Sequence, residues 1–423
     1  MSRKVSGETG DMLSSEMSRR EFIRISAAGM LGTHTLVGNQ RGQDSDLAQQ
    51  KVIKRVKKGS MYYRRLGRTG LMISEISLGG SPIPPEPVFR KAMEMGVNYV
   101  DTSSSYSNGN SERIIGRMIK GQRNKFHVAT EFHAAEGGSI KSTPELIQEA
   151  EGSLKRLDTE YVDIFLVHGA SSSELLMSEE VLAALDQLKK DGKARFTGVS
   201  CHRDSVNVLT PAIESGKYDM ISLAYNPYFG SYVEECEVYD NYLAKSGIEK
   251  ILALAKQNDV GVIAMKSVAG GDRQNLEAFR TEGVSIPQAK LKWVLQNDAV
   301  TAAITEMVSF DILDENLAVS GMEMSSTERK VLSEYVKATS VDYCRMCGTC
   351  LWHCPSKIAI PDIMRCVAYN DEYGKTSLAR SEYRKLPKAS TFSGCNQCGI
   401  CEIVCPYGLQ IVQKLCNAHQ ILA

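Results

Sequence analysis

The chain has 423 residues, with 50 basic and 50 acidic side chains and therefore no formal net charge. This balance, without a basic patch interleaved with aromatic residues, argues against a nucleic-acid or anionic-membrane partner. No run of 18 uninterrupted apolar residues occurs, which argues against a transmembrane segment. With 43% hydrophobic residues, a chain of this length can bury one large core and a smaller one, which predicts two folded domains.

The N-terminal segment, residues 1–40, has the features of an export address. Arg19 and Arg20 stand side by side, an aromatic residue follows two places on, and a weakly apolar run continues over Ile25–Val37. This order resembles the twin-arginine signal and predicts a periplasmic or extracytoplasmic protein. The alternative is a chance Arg-Arg pair before a surface helix of a cytoplasmic protein. Residues 41–59 are polar and charged, which predicts a linker.

Residues 60–338 alternate apolar runs with helical patterns. The runs predict eight strands, at Ile76–Leu78, Val97–Val100, Phe126–Thr130, Val162–Val167, Arg195–Val199, Met220–Ala224, Val260–Ala264 and Thr301–Ile304. Helical patterns lie between most of them, such as Pro144–Leu157, Glu179–Lys190 and Ile248–Gln257. Eight alternations predict an α/β fold of the (β/α)8 TIM-barrel type rather than an open sheet.

A hairpin precedes the first of these strands. Tyr62–Leu66 and Leu71–Ser74 flank the turn-like sequence Gly67-Arg68-Thr69-Gly70. We expect this hairpin to close the bottom of the barrel.

Three blocks of sequence resemble the aldo-keto reductase family. They are Gly96–Tyr106 (GVNYVDTSSSY) with the following Ser111–Gly116, then Leu154–His168, then Gly192–Ser200. Their order and spacing match the family over about residues 60–337. The resemblance implies hydride transfer between a nicotinamide cofactor and a carbonyl or alcohol, with a Tyr as proton donor surrounded by Asp, Lys and His.

Three of these four catalytic positions are kept, and the fourth is reversed in charge. The resemblance assigns Asp101, Tyr106 and His168 to catalysis at the ends of the second and fourth strands. Glu131 stands at the end of the third strand, where the family has Lys. A carboxylate there disfavours ionisation of the phenol, and next to Asp101 one of the two carboxyls is expected to hold a proton near neutral pH.

Three accounts of Glu131 are open. It acts as a general acid or base in an altered mechanism, the barrel binds a substrate without the usual hydride transfer, or Glu131 turns outward and is inert.

The cofactor positions also depart from the family. The resemblance assigns Ser200 to the nicotinamide amide and places Cys201, Ser222 and Met265 where an Asn, a Gln and an aromatic residue are usual. The resemblance also places Asn316 on the adenine side. Residues 267–271, which include Ser267 and Gly270, are interpreted as a pyrophosphate loop, with a simple turn as the alternative.

Residues near the last strand bear on the choice between NAD and NADP. Glu306, Met307 and Ile312 stand where NADP-dependent members place basic or hydroxyl residues around the 2′-phosphate. Because a phosphate there would lack its charge-assisted bonds, NAD is favoured over NADP. No flavin fingerprint is visible, but a flavin that needs no short motif stays open.

Two cysteine runs near the C-terminus have the spacing that bacterial ferredoxins use for two [4Fe–4S] clusters. The runs are Cys344, Cys347, Cys350 and Cys354, then Cys395, Cys398, Cys401 and Cys405, each ending in Cys-Pro. Because the fourth cysteine of each run reaches the other cluster, Cys405 is expected to join the first three and Cys354 the second three. Structural zinc and disulfides are the alternatives, and both fit this spacing poorly. Cys236, Cys366, Cys416 and Cys201 lie outside the pattern and are expected to be ordinary buried thiols.

The spacer between the two runs is 40 residues long, too long for a minimal ferredoxin. It contains helical patterns at Ile363–Tyr369 and Ser377–Leu386, and Pro361 suits the first turn of a helix. Residues 339–423 therefore predict an α-helical ferredoxin-like domain.

Together these features predict an exported oxidoreductase that acts on a small carbonyl or hydroxyl compound, such as a sugar derivative, with a redox protein as a further partner. A nicotinamide passes two electrons as hydride, whereas each cluster passes one, so a mediator such as a flavin is normally needed between them. The alternative is a non-catalytic electron-transfer or substrate-binding subunit whose barrel has lost hydride transfer.

Overall fold

The computed structural model describes residues 55–136, 139–228, 247–269, 279, 281–340 and 343–423. The predicted export signal, most of the predicted linker, Cys236 and Gly270 lie outside these ranges. All contacts reported below lie within one compact unit, Ile53–Ala423.

Eight parallel strands form a closed barrel. In order around the barrel they are β4 (Ile76–Gly79), β5 (Tyr99–Asp101), β6 (His127–Phe132), β9 (Val162–Val167), β10 (Ala194–Cys201), β11 (Met220–Ala224), β12 (Gly261–Met265) and β13 (Ala302–Thr305), with β13 paired to β4. The eight predicted strands are confirmed, with ends that shift by no more than two residues.

An antiparallel sheet closes the barrel at its N-terminal end. It consists of β1 (Arg55–Lys58), β2 (Met61–Arg65) and β3 (Met72–Ser74). The turn between β2 and β3 sits tightly on the barrel, since the Arg68 amide donates to the Asp259 carbonyl at 2.6 Å. Gly67 is required there, because it has φ +45° and a Cβ would lie 2.2 Å from the Gly261 nitrogen. The predicted hairpin is confirmed, and β1 lies inside the segment predicted to be a linker.

Helices surround the barrel. They are α1 (Glu86–Glu94), α2 (Asn110–Ile119), α3 (Thr143–Leu157), α4 (Ser173–Leu176), α5 (Glu179–Lys190), α6 (Ser205–Glu214), α7 (Ile248–Gln257), α8 (Ile286–Gln296), α9 (Phe310–Leu317) and α10 (Ser326–Thr339). A short hairpin, β7 (Ala135–Glu136) and β8 (Ser139–Ile140), follows β6.

Local capping explains why the predicted helix boundaries were close. Ser142 and Glu145 form a capping box at the start of α3, and Ser178 accepts the Val181 amide at the start of α5. Asp158 ends α3 in a left-handed conformation.

The C-terminal region is helical, as predicted. Its helices are α11 (Thr349–His353), α12 (Ile360–Asp371), α13 (Thr376–Arg384), α14 (Ile400–Ile403) and α15 (Ile411–Leu422). Pro361 lies in the first turn of α12, as expected. Residues such as Ile363, Tyr383 and Leu415 form a hydrophobic core separate from that of the barrel. Within the described residues, this core is accompanied by one between the barrel strands and helices and by a third in the barrel interior.

None of the helices in the described part of the chain is long and apolar enough to span a bilayer.

Candidate active site

A cleft of about 610 Å³ opens at the carboxyl ends of the barrel strands. This is the end of a (β/α)8 barrel at which catalytic groups are expected. Its walls come from the residues after β4, β5, β6, β9, β10, β12 and β13, and its remaining side comes from α12 and α13.

Asp101, Tyr106 and His168 all line the cleft. Asp101 is the last residue of β5, and its Oδ1 accepts the Gly80 amide at 3.2 Å. The rings of Tyr106 and His168 meet edge to face with centroids 5.7 Å apart. The structure therefore brings together the three residues that the sequence assigned to catalysis.

Glu131 points into the barrel and not outward. Alternation along β6 places Ala129 and Glu131 on the inner side, while Phe132 packs in the outer core between strands and helices. Glu131 is only 2% exposed; its Oε2 accepts from Ser200 Oγ at 3.3 Å and lies 3.2 Å from His168 Nδ1. The account in which Glu131 swings outward and is inert is therefore wrong.

The two carboxyls hold their protons more tightly than usual. Burial raises the pKa of Asp101 to about 7. Burial, and secondarily the charge of Asp101, raises the pKa of Glu131 well above its usual value. At neutral pH the pair therefore carries at least one proton, which agrees with the sequence-based expectation.

The phenol of Tyr106 resists ionisation. Burial raises its pKa well above 10, and the charges of Glu131 and Asp101 act in the same direction. Arg365, from the C-terminal region, opposes this shift. Tyr106 is therefore a proton donor at neutral pH and not a tyrosinate.

His168 is a neutral imidazole, because burial holds its pKa well below 6.5. Its Nδ1 lies 2.9 Å from Ser103 Oγ as well as close to Glu131. When protonated Glu131 donates to Nδ1, the proton of the ring resides on Nε2. In that tautomer His168 can donate a hydrogen bond to an oxygen atom in the cleft.

Four further basic or imidazole side chains of the barrel line the cleft, and the sequence interpretation missed them: His133, His202, Arg203 and Lys266. The ring centroids of His133 and His168 are 4.4 Å apart, and Lys266 Nζ lies 3.3 Å from His202 Nδ1. Burial and the charge of Arg365 lower the pKa of Lys266 to about 7. All four lie one or two residues after the end of a barrel strand. Because (β/α)8 barrels carry their catalytic groups at the carboxyl ends of the strands, this rule could have found them.

The eight cysteines of the two runs surround two small cavities. One cavity is lined by Cys344, Cys347, Cys350 and Cys405, and the other by Cys354, Cys395, Cys398 and Cys401. This is the division that the spacing predicts, with the last cysteine of each run exchanged. None of these cysteines is in a disulfide.

The donor set in each cavity fits an iron–sulfur cluster. Burial and the neighbouring thiols Cys344, Cys347 and Cys405 raise the pKa of Cys350. Four thiols so placed cannot all ionise without a compensating positive charge, which bound iron supplies.

Two family models match the chain in agreement with this geometry. Residues 86–279 match the aldo/keto reductase family, and residues 343–410 match a 4Fe–4S dicluster domain. The chain carries an aldo-keto reductase domain and a 4Fe–4S dicluster domain.

Relatives in sequence match over the barrel. An uncharacterized oxidoreductase from Bacillus subtilis is 26% identical, covering 66% of this chain and 97% of its own. L-galactose dehydrogenase from Arabidopsis thaliana is 28% identical, covering 64% and 92%. The fold agrees with an aldo-keto reductase from Bacillus halodurans in its holo form, at a TM-score of 0.51 and 22% identity, covering 64% of this chain and 95% of that one.

The aldo-keto reductase cofactor positions are only partly in the cleft. Met265 and Ser267 line it, while Ser200 lies beneath it in contact with Glu131. Ser222 is buried next to Ser200 in the barrel register, and Asn316 donates to Thr305 Oγ1 and the Glu306 carbonyl at 3.2 Å each.

Cys201 does not fit its predicted cofactor role. Alternation along β10 turns its side chain away from the cleft and into the outer core. There its thiol donates to the Arg203 carbonyl at 3.0 Å.

The dicluster domain forms the roof of the cleft. In α12, Asp362, Arg365 and Tyr369 lie three and four residues apart and so share one face of the helix, which lines the cleft. Arg203 of the barrel pairs with Asp362, and Lys375 between α12 and α13 pairs with Glu306. The first cysteine run also contacts the barrel, since the Asp204 amide donates to the Met346 carbonyl at 3.1 Å. No local sequence pattern predicted this roof.

Proposed function

We propose that the protein is an iron–sulfur oxidoreductase that interconverts a carbonyl and an alcohol in a small polar molecule. The observation that carries this proposal is the convergence of Tyr106, His168 and Asp101 on one cleft that the dicluster domain covers, with Glu131 against His168 beneath it. The relationship to L-galactose dehydrogenase supports a sugar derivative as the substrate.

The protonation states favour the direction of carbonyl reduction. Conversion of a carbonyl to an alcohol takes up two electrons and two protons, of which a hydride supplies both electrons and one proton. Tyr106 supplies the second proton to the oxygen atom, because its phenol is neutral. His168 holds that oxygen through its ring N–H, and the Glu131 and Asp101 pair stores the proton that replaces the one given by Tyr106.

The clusters supply one-electron transfer when bound, and a nicotinamide supplies hydride. An aldo-keto reductase from Klebsiella pneumoniae, solved in complex with NADPH, has a TM-score of 0.50 to this chain and 20% identity, and supports a nucleotide of that class. NAD is favoured over NADP because Glu306 stands at the 2′-phosphate position. A flavin could mediate between hydride transfer and one-electron transfer, and the cofactor extraction described below tests for it.

A second candidate function is a non-catalytic electron-transfer or substrate-binding subunit. Two observations favour it. Glu131 stands where the family places its Lys, and the Lys375–Glu306 ion pair ties the dicluster domain to the position at which the adenosine part of a nucleotide would bind.

Export by the twin-arginine route belongs to the proposal and is supported by the paired arginines at residues 19 and 20. Outside the cytoplasm free nicotinamide is scarce, so an exported enzyme requires either a tightly held cofactor or a redox protein that exchanges electrons with the clusters.

The decisive experiment is cofactor extraction combined with electron paramagnetic resonance on anaerobically purified protein. Extraction of a nicotinamide or flavin supports the enzyme and rules out the binding subunit. The appearance of the signal of reduced clusters after addition of an alcohol substrate does the same. Glu131→Lys is the informative variant, and Glu94→Lys at an exposed position is its control. If the clusters are present, neither NAD nor NADP binds, and Glu131→Lys does not restore reduction of a simple aldehyde, hydride transfer is ruled out.

A further inference from the structure

The roof of the cleft has charged side chains on the surface that faces the cavity, away from the core of the dicluster domain. The apolar sides of α12 and α13, including Ile363, Met364 and Tyr383, pack into the core of the dicluster domain. Their other sides, with Arg365 and Glu382, face the cleft. Because these polar sides and the barrel line the same cavity, their charges are available to a ligand.

Arg365 is incompletely matched among these charges. Each carboxylate of the roof and rim has a closer cation: Asp362 pairs with Arg203, Glu306 with Lys375, and Glu382 with Lys385 at 2.5 Å. Arg365 approaches Asp362 and Glu382 only to 3.8 Å, beyond hydrogen-bonding distance.

The guanidinium of Arg365 therefore has donors to spare. It interacts with Tyr369 on the same helix, but its Nε is buried and has no hydrogen-bond partner within the described residues. Its side chain is only 19% exposed, so water compensates it poorly. An unsatisfied buried donor on a charged group is costly, and an anion placed against it recovers that cost.

Within the described residues, Arg365 forms its ion pairs with Asp362 and Glu382 and not with the carboxyls of the floor, which carry at most one negative charge. Asp101 and Glu131 together retain at least one proton at neutral pH, because their pKa values are raised. Lys266 of the barrel also lines the cleft and, because its pKa is lowered to about 7, adds part of a positive charge near neutral pH. The cleft thus has an excess of positive charge at its roof and hydrogen-bond donors at Tyr106 and His168 below.

We propose that Arg365 binds a carboxylate of the substrate and so holds its carbonyl or hydroxyl group against Tyr106 and His168. The substrate class is then a small polyhydroxy or oxo acid, which a cleft of about 610 Å³ accommodates. This inference rests on the proposed function, and it makes the dicluster domain a part of the substrate site.

The test compares acids with their neutral partners. Binding of D-gluconate and D-glucitol, and of D-glycerate and glycerol, is measured by calorimetry on the anaerobic, cluster-loaded full chain. Each pair differs in the carboxylate, so at least one acid is expected to bind about tenfold or more tightly than its partner. Equal binding within both pairs, or no binding by either acid, contradicts the proposal.

Variants locate the effect. Arg365→Gln is expected to weaken acid binding about tenfold to a hundredfold and to weaken binding of the neutral partner much less, while Arg365→Lys gives an intermediate loss of acid binding. Arg380→Gln is the matched control, because Arg380 lies on α13, is exposed and donates to the Ile421 carbonyl away from the cleft. Retention of the cluster absorbance shows that each variant is folded.

A cofactor diphosphate is the other source of an anion. The acid titrations are therefore repeated with NAD present. If NAD displaces the acid, and Arg365→Gln weakens NAD as much as it weakens the acid, the proposal is wrong. If acid binding depends on Arg365 but no acid is turned over, this inference is supported and the proposed function fails. If Arg365→Gln turns over a neutral substrate as well as the parent protein does, the proposed function is supported and this inference fails.

Discussion

Lys375 of the dicluster domain forms an ion pair with Glu306, the residue that follows the last barrel strand. Both side chains are about one-fifth exposed, at 21% and 23%. The pair joins the roof of the cleft to the position that the family resemblance assigns to the 2′-phosphate of NADP. A nucleotide that enters this groove must therefore meet a carboxylate already held in place.

We expect NAD to bind more tightly than NADP. We expect the Glu306→Gln variant to have a smaller difference between the two affinities. Removal of one like charge near a phosphate in a partly exposed site is worth about 1 kcal/mol, or roughly fivefold to tenfold in relative affinity. Fluorescence titration with both nucleotides measures it, with Glu323→Gln at an exposed position on the far end of the barrel as control. Tighter binding of NADP by the unmodified protein would contradict the prediction.

Asp101→Asn is expected to change how stability depends on pH. The pKa of Asp101 is raised by folding from 3.8 to about 7, so the unfolded chain loses this proton first as pH rises. The native state is therefore penalised progressively between about pH 4 and pH 7, by at most about 4 kcal/mol. The variant lacks this penalty, so its thermal midpoint relative to the parent protein should rise across that window and level off above it. Asp311→Asn, at an exposed site, should follow the parent protein, and a constant difference at every pH would show that Asp101 is not the group that titrates.

Glu131→Lys is expected to lower the pKa of Tyr106. The parent carboxyl raises that pKa, while an ammonium at the same place would stabilise the phenolate and pair with Asp101. Ultraviolet difference titration of tyrosine ionisation measures the change, with Glu131→Gln as the variant that removes charge without reversing it. The order of pKa values should be highest in the parent, intermediate in Gln and lowest in Lys; any other order argues against direct electrostatic contact.

Exchange of the fourth cysteines is testable by iron content. Cys405→Ser should disturb the cavity of Cys344, Cys347 and Cys350, and Cys354→Ser the other cavity. Each single variant should fall from about eight to about four irons per chain, or bind the remaining irons in an altered cluster. Cys416→Ser, outside both cavities, should retain all of them. If Cys405→Ser altered only the spectrum of the cluster bound by Cys395, the assignment would be wrong.

The barrel strands and the division of the eight cysteines between two cavities could be predicted, because both depend on spacing along the sequence. Strand alternation also contained the answer for Glu131, since Ala129 two residues earlier lies on the inner side of β6 and packs in the barrel interior. The same rule would have turned Cys201 outward.

Arg365 and Lys375 could not be predicted as cleft residues. They lie in a spacer without a motif, and both the Lys375–Glu306 ion pair and the position of Arg365 in the cleft depend on how the C-terminal helices pack on the barrel. Such long-range packing leaves no periodic pattern in the sequence.

Because each run gives its fourth cysteine to the other cavity, neither set of four thiols is complete until the second run has been synthesised. The cavity that begins with Cys344, next to the barrel, lacks its fourth thiol until Cys405 has been synthesised near the end of the chain. A nascent barrel can fold earlier, as domains generally do, but its cleft then lies open to solvent. A chain that ended before Cys405 would accordingly carry α12 and α13 of the roof beside a cavity with three of its four thiols.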